Sequence, residues 1–362
     1  MRFVHYYPRA LVGNGGPTAA MWSWVKALVS DNQEVHVIYD EKWFGNQELA
    51  VPDVPLHGIK HRLNGRWHYP VGLTELVDEQ TVLILHSAFL AGNLVAARMA
   101  ARVGAKTVFT PHGAYDHDAR QRNALLKRTW LGFERIIVNR SLAVHAFVDT
   151  ETASIREVAP TVSIVTAPTP ISIPQSHKWQ GGGGYIAWLG RYDIEHKGLD
   201  LLIEAYRRIP KELRIPVHLH GRNSKNTRDD VEALVESSGL SDIISVGGPI
   251  EGDEKLRFLA SAEFFIMPSR WESFSIALLE VLAMNIPSIV SNTMPISKQL
   301  IQENAAIVAS INVEELATCI EDAIINKVNI YKKVFPLCFV QKNLTHEVVG
   351  HTFVQQIESL LF

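Results

Sequence analysis

The sequence predicts an α/β protein built from two doubly wound parallel-sheet domains, and three observations carry that prediction. At 362 residues the chain exceeds what a single hydrophobic core usually organises. Short runs rich in β-branched and aromatic residues alternate with helical patterns throughout, as parallel layers with helices on both faces require. One stretch, ISIPQSHKWQGGGG from Ile171 to Gly184, holds prolines and four successive glycines, a composition that reads as a linker.

Taken in order, the first-half strands are expected at Arg2 to Tyr7, Glu34 to Tyr39, Val82 to His86, Thr107 to Thr110, Ala143 to Val148 and Ser163 to Thr166. After the linker, strands are expected at Tyr185 to Leu189, Val217 to His220, Ile243 to Val246, Phe264 to Met267 and Ser288 to Val290. Helices are expected between them at Leu199 to Ile209, Asp229 to Ser237, Asp253 to Ala260 and Ile276 to Met284. The domains are thus 1–170, a linker 171–184, and 185–335. A helical segment, 336–362, is expected to pack back on the first domain.

Composition narrows the function classes. With 47% hydrophobic and 20% charged residues there is material for two cores, and a net charge of -3 argues against a protein dedicated to nucleic acid. Cys319 and Cys338, the two cysteines, have neither metal-ligand nor redox spacing, which fits a reducing compartment. The terminus MRFVHYYPRA reads as a strand and not as a signal peptide, and no apolar stretch is long enough to span a bilayer. The expectation is a cytoplasmic protein, with peripheral contact at the inner face of the plasma membrane left open.

In open parallel sheets ligands bind beyond the carboxyl ends of the strands, so candidate residues are sought there. The segment Pro268 to Val290 places Glu272 in a loop after a strand and Glu280 on the next helix, a Glu-x7-Glu spacing. Backbone amides of Phe274, Ser275 and Ile276 at that helix start suit a phosphate. The same acidic residues could equally serve the helix dipole and solvent. The segment Gly184 to Asp200 sends Arg191 and Lys197 from one strand end, and two cations there suit a diphosphate, although each would be ordinary on a surface. GNGGPT, Gly13 to Thr18, offers Gly15 and Gly16 for close backbone approach to a ligand, or forms a plain turn. His112, on the strand-to-loop turn TPHGAYDHD, could bond a sugar hydroxyl or handle a proton. No metal-binding arrangement, Walker loop or nucleophilic serine elbow is present, so metal-independent chemistry without a bound cofactor is expected.

Together these clusters resemble the retaining GT-B glycosyltransferases, the group 1 or family 4-like enzymes that include glycogen-synthase-like and polysaccharide-assembly members. The resemblance runs from the glycine loop to about Ala306. It implies two Rossmann-like domains facing a central cleft, with the acceptor on the first and a nucleotide-sugar donor on the second. It implies further that Arg191 and Lys197 grip the diphosphate, that Glu272 and His112 touch the transferred sugar, and that Glu280 binds ribose. Pro111 to Glu157 is similar to the subset that builds exopolysaccharide, capsule or lipopolysaccharide. UDP-sugar, with UDP-glucose as the default, is the expected cosubstrate, and a glycan or lipid-linked molecule the acceptor. Three departures stand out: Ser275 and Asn285 where glycine is usual, and SNTMPISKQL, Ser291 to Leu300, without the usual Gly-Gly loop.

Two other classes keep the fold. A nucleotide-sugar epimerase would need no second substrate, and a non-catalytic sugar-binding protein would lose the cluster that is intact here. A nicotinamide oxidoreductase is disfavoured by the incomplete glycine fingerprint. One region carries local charge: between Arg98 and Arg140 nine Lys or Arg face three acids. Leu125, Leu126, Trp130 and Phe133 recur there at helical spacing. Such a helix either touches an anionic membrane or buries that face in the core.

Overall fold

The computed structural model describes the chain apart from residues 13–14, 45–50, 64–66, 117–119, 121–123, 224–226, 273 and 327–331, and the side chains of Ala124 and Leu126. Of the positions singled out above, Gly13, Asn14, His117, Asp118, Arg122, Ser273 and the Leu126 side chain therefore lie outside the described residues. The chain divides into two compact units, Met1–Pro170 with Leu344–Phe362, and Ile171–Asn343.

The first unit is a seven-stranded sheet of β1 (Arg2–Tyr6), β2 (Glu34–Asp40), β3 (Leu56–Ile59), β6 (Thr81–His86), β7 (Lys106–Thr110), β8 (Ala143–Ala146) and β9 (Ile164–Thr166). Their spatial order is β3-β2-β1-β6-β7-β8-β9, and every pair is parallel. A short antiparallel pair, β4 (His61–Arg62) and β5 (Tyr69–Pro70), stands apart from it. All six residues of β6, TVLILH, are buried, which is what a central parallel strand covered on both faces demands. Edge strand β3 and the β4–β5 pair escape sequence detection because LHGI and two-residue strands carry too little β-branched signal.

The second unit is a six-stranded parallel sheet of β10 (Ile186–Arg191), β11 (Val217–Arg222), β12 (Ile244–Gly247), β13 (Phe264–Met267), β14 (Ser288–Ser291) and β15 (Ile307–Ala309). Their spatial order is β12-β11-β10-β13-β14-β15. The core packs Trp188, Tyr192, Leu202, Tyr206 and Ile266 with Leu316 and Ile320 of the Val313–Ile325 helix. In both units the chain builds outward on one side, then returns to add strands on the other. The switch points lie between β1 and β6 and between β10 and β13, and ligands of such sheets bind there.

Two boundary expectations change. Ile171–Gly184 is part of the second unit and not a free connection. Trp179 Nε1 donates to the Ala262 carbonyl at 2.8 Å, the Gln180 amide to that of Ala260 at 2.9 Å, and the Gly184 amide to Glu263 at 3.1 Å. Composition misleads there because glycines can hydrogen-bond along a neighbouring element without a helix or strand of their own. The tail divides at Leu344: the helix Pro336–Asn343 stays with the second unit, and His346–Leu361 packs on the Gly16–Ser30 helix of the first. Gly350 makes that packing possible, since a Cβ there would lie 2.3 Å from the Ala27 carbonyl oxygen.

Candidate functional site

The second-unit site is built around its switch point. β10 ends at Arg191, and a one-turn helix, Ile194–Lys197, follows with Asp193 as its cap, its side chain accepting from the His196 amide at 3.1 Å. Gly198 closes the turn at φ +64°, and a Cβ there would sit 2.0 Å from the Pro268 carbonyl oxygen. Only glycine permits both the left-handed conformation and that approach. The turn after β10 is thereby pressed against the loop after β13, and Lys197 meets Glu272.

Lys197 Nζ donates to Glu272 Oε1, and the two side chains are only about a tenth exposed. Ser269 Oγ donates to the same Glu272 oxygen at 3.0 Å. The Ser269 carbonyl in turn accepts from Ser291 Oγ at 2.5 Å and Thr293 Oγ1 at 3.0 Å. The SNT segment that departs from the family pattern thus braces the loop carrying Glu272. Arg270 adds a two-pronged ion pair to Asp200 at 2.7 and 2.6 Å, which raises the guanidinium pKa, and its amide donates to the His196 carbonyl at 2.9 Å. The His196 ring stacks on Trp271, with centroids 4.7 Å apart.

Arg191 is about half exposed, 3.4 Å from His196 Nδ1 and 3.7 Å from Asp193. Ser275 caps the Ile276–Ala283 helix, its hydroxyl accepting the Leu278 amide over a long 3.5 Å. Amides of the first turn have no intrahelical acceptor, which makes this end attractive to an anion. Glu280 does not join Lys197 and Glu272; it pairs with Lys255 at 2.7 Å. Lys255, on the Gly252–Ser261 helix, carries no sequence signal, because nothing in the spacing of 25 residues links the two helices. Asn285 adopts φ +63° at the helix end, and its Oδ1 accepts the Leu337 amide at 3.1 Å, so it supplies the left-handed turn of glycine and a cap besides.

The first unit holds His112 and the glycines. Gly15, at φ +87° and ψ -160°, precedes the Gly16–Ser30 helix in a conformation reserved for glycine, and a Cβ on Gly15 or Gly16 would meet nothing within 4 Å. His112, two residues after the end of β7, has φ +54°. Its Nε2 lies 3.0 Å from His86 Nδ1, and His86 Nε2 lies 2.8 Å from His5 Nδ1. The positional rule that selected His112 applies equally to His86, the last residue of β6, and would have found it. Burial holds all three rings neutral, pulling the pKa of His5 and of His112 to about 3 and that of His86 well below 6.5. On β8, His145 Nε2 is 2.8 Å from the Ala167 carbonyl, and its pKa falls to about 4, again by burial.

Beyond this row, the Ala124–Arg140 helix turns Glu134, Ile137 and Val138 into the core and leaves Leu125 and Phe133 exposed. The expected stripe thus divides: Leu125 and Phe133 face outward, while Trp130 packs, partly buried, against the core. Trp130 also packs edge-on against Trp67, with centroids 5.1 Å apart, and donates to Glu134 at 3.2 Å. Among the described residues no helix is long and apolar enough to cross a membrane, and no group of three or more His, Cys, Asp or Glu could hold a metal.

Comparison with known proteins agrees with this architecture. Residues 15–169 match the Glycosyl transferase 4-like domain, and residues 171–334 match Glycosyl transferases group 1. The chain belongs to the GT-B glycosyltransferases, with one of these domains in each unit. It is similar to a D-inositol 3-phosphate glycosyltransferase of Arthrobacter sp., 23% identical over 338 residues, covering 82% of this chain and 79% of that protein. A match to an MMP α-(1→4)-mannosyltransferase of Mycolicibacterium hassiacum is 30% identical over 99 residues, covering 27% of this chain and 24% of that protein. Anabaena HepE, solved with UDP and glucose, shares the fold at a TM-score of 0.74 and 12% identity, covering 99% of this chain and all of that one.

Proposed function

We propose that this chain transfers a hexose, with retention of anomeric configuration, from a nucleotide diphosphate sugar to a glycan or lipid-linked acceptor in cell-surface polysaccharide assembly. UDP-glucose is the proposed donor, supported by the UDP and glucose bound to the HepE relative in fold. The polysaccharide role rests on the resemblance of residues 111–157 to exopolysaccharide and capsule enzymes.

The observation that carries the reading is the Lys197–Glu272 pair held beside the switch point, with Arg191 on the same strand end and the helix start of Ile276 close in sequence to Glu272. A nearly buried ammonium is costly unless paired, and this pair holds both groups in place beside the switch point. With donor bound, Lys197, Arg191 and the helix amides neutralise charge growing on the departing diphosphate, so no metal is required for that task. Glu272, braced by Ser269, is left to accept from sugar hydroxyls, and Glu280 from ribose. The bond between the anomeric carbon and the diphosphate oxygen breaks, and the acceptor oxygen bonds to that carbon on the same face. The acceptor proton passes to the leaving phosphate. A non-catalytic binder would have no reason to keep these paired charges, and an epimerase would act on the donor alone.

A donor panel of UDP- and GDP-sugars, scored for binding, hydrolysis and transfer with Glu272→Ala and Lys197→Ala beside the parent, tests this. Absence of binding by every nucleotide sugar, or variants that turn over like the parent, ends the assignment.

Peripheral contact with an anionic membrane is part of the same proposal. Arg98, Arg102 and Arg140 line an open cavity of about 480 Å³. On the helix that carries Arg140, Leu125 and Phe133 are exposed, as a face that enters a lipid surface requires. Reversing charge at Arg128 and Arg140 should lower partitioning onto anionic liposomes, and unchanged partitioning removes this part.

A further inference from the structure

The imidazoles of His5, His86 and His112 cross three adjacent strands at their carboxyl ends as one hydrogen-bonded row, with contacts of 2.8 and 3.0 Å. Rings His5 and His86 stack with centroids 5.1 Å apart and planes 15° apart, while His86 and His112 tilt by 34° at 5.3 Å. His5 and His86 are buried, and His5 Nε2 has no partner among the described residues. His112, half-buried, is the open end.

Three neutral rings carry three N–H groups, and each of the two links uses one. The protons must therefore point the same way along the row, and the third N–H lies at one end. Pointing inward, it strands a buried donor on His5 Nε2. Pointing outward, it lies on His112 Nδ1 and leaves only a bare acceptor in the core. Orphaned buried N–H groups are rarer in folded proteins than unsatisfied acceptors. We infer that His5 and His86 are positioning residues that fix His112 in its Nδ1–H form, so that it presents a hydrogen-bond donor to a sugar oxygen and does not act as a base.

The His145 proton is set separately. Only an Nε2–H can bond the Ala167 carbonyl, which leaves Nδ1 to accept from Thr110 Oγ1 at 3.3 Å. Nor is the row a proton wire, because it ends at His5 without a further acceptor among the described residues. The role given to His112 rests on the transferase reading; the tautomer does not.

Long-range ¹H–¹⁵N correlation spectra of the full chain labelled at histidine, with His112 assigned by its loss in His112→Gln, report the tautomer directly. The expected spectrum has a protonated Nδ1 and a bare Nε2 on His112 at neutral pH. An Nε2–H spectrum overturns the inference, and this measurement on the parent needs no variant of the row. In His86→Phe, His112 should revert to the Nε2–H form that free imidazole favours, and kcat for transfer should fall about tenfold with donor KM little changed. His86→Gln, whose amide can donate to His112 Nε2, should recover most of the rate. A lowered kcat with the tautomer unmoved would make His86 merely structural. A chain that shows the expected tautomer but binds no nucleotide sugar would sink the transferase reading and leave the row intact.

Discussion

Beside the switch point of the second unit Lys197 and Glu272 face each other as ions, whereas beside that of the first, His5, His86 and His112 join as neutral rings. The same place in the same fold thus carries two kinds of chemistry. Charge suits a diphosphate, whose binding and departure are electrostatic events. Neutral donors and acceptors suit hydroxyls, which must be told apart by direction and not by charge. The difference is achieved by solvent access and by partners. The second unit gives its charged groups opposite charges close by, while the first withdraws its histidines from water, His5 and His86 fully and His112 in part, so that protonation is disfavoured.

The largest expected effect tests the charged half. Lys197→Ala should lower kcat for transfer by about 10²- to 10³-fold, the loss typical of removing one donor to a developing anion. His112→Ala should cost about tenfold, as one hydrogen bond to a sugar does. Steady-state kinetics with a single donor compares the two, and equal losses would erase the proposed division between charge and neutral recognition.

Next in size is the turn that brings the ions together. Gly198→Ala must place a side chain in the left-handed region and 2.0 Å from the Pro268 oxygen. A cost of about 3 kcal/mol in stability is expected, with Lys197 drawn away from Glu272 as the loop moves. Thermal unfolding measures the first. A variant that melts like the parent would show that this approach does not hold the site.

The neutral half is exposed by pH. His5, His86, His112 and His145 have folded pKa values below 6.5, so the unfolded chain binds more protons than the folded one once pH drops under about 6.5. Stability then falls with pH by up to about 1.4 kcal/mol per unit for each such group. Two buried carboxyls oppose this. Glu134 is pushed up to about 7 by burial, against the donors Tyr115, Phe89 and Trp130, and Glu151 is pushed up to about 8, also by burial. They withdraw stability as pH rises above about 4.5, up to those values. His57, His61, His68 and His346 of the same unit are lowered too, chiefly by burial, so below pH 6.5 the histidines outweigh the two carboxyls, and above it the carboxyls act alone. The first unit should therefore be most stable near pH 6.5, which unfolding curves of the whole chain followed by fluorescence of its tryptophans can check. A midpoint flat from pH 5 to 8 would contradict the burial argument.

How much of this was legible follows from the same physics. β13 and the helix after it stood out because FFIM is a compact apolar run and Ser275 opens a helical period, so Glu272 and Glu280 could be placed relative to both. The pairing of Lys197 with Glu272 was not legible, because it depends on the parallel alignment of β10 with β13, which joins residues 75 apart in sequence. Arg270, whose partner Asp200 lies 70 residues away, escaped for the same reason, and Lys255 because its partner Glu280 is on a different helix. Ile171–Gly184 misled because composition reports what a segment cannot form alone, not what its amides find on a neighbour.

The smallest expected effect distinguishes the two acidic residues of the Glu-x7-Glu spacing. Glu272 is about a tenth exposed and accepts from both Lys197 and Ser269, so its removal strands a lysine. Glu280 and Lys255 are each about a quarter exposed, and water can replace either partner at less cost. If Glu280 binds ribose, it does so in the ground state and the transition state alike, and such uniform binding appears in KM. Glu280→Gln should raise donor KM about tenfold with kcat within a factor of about two. Lys255→Met should have a smaller effect on KM, since the carboxylate it leaves unpaired stays available to ribose. A fall in kcat as large as that of Lys197→Ala would move Glu280 to the reacting end of the donor and redraw the site.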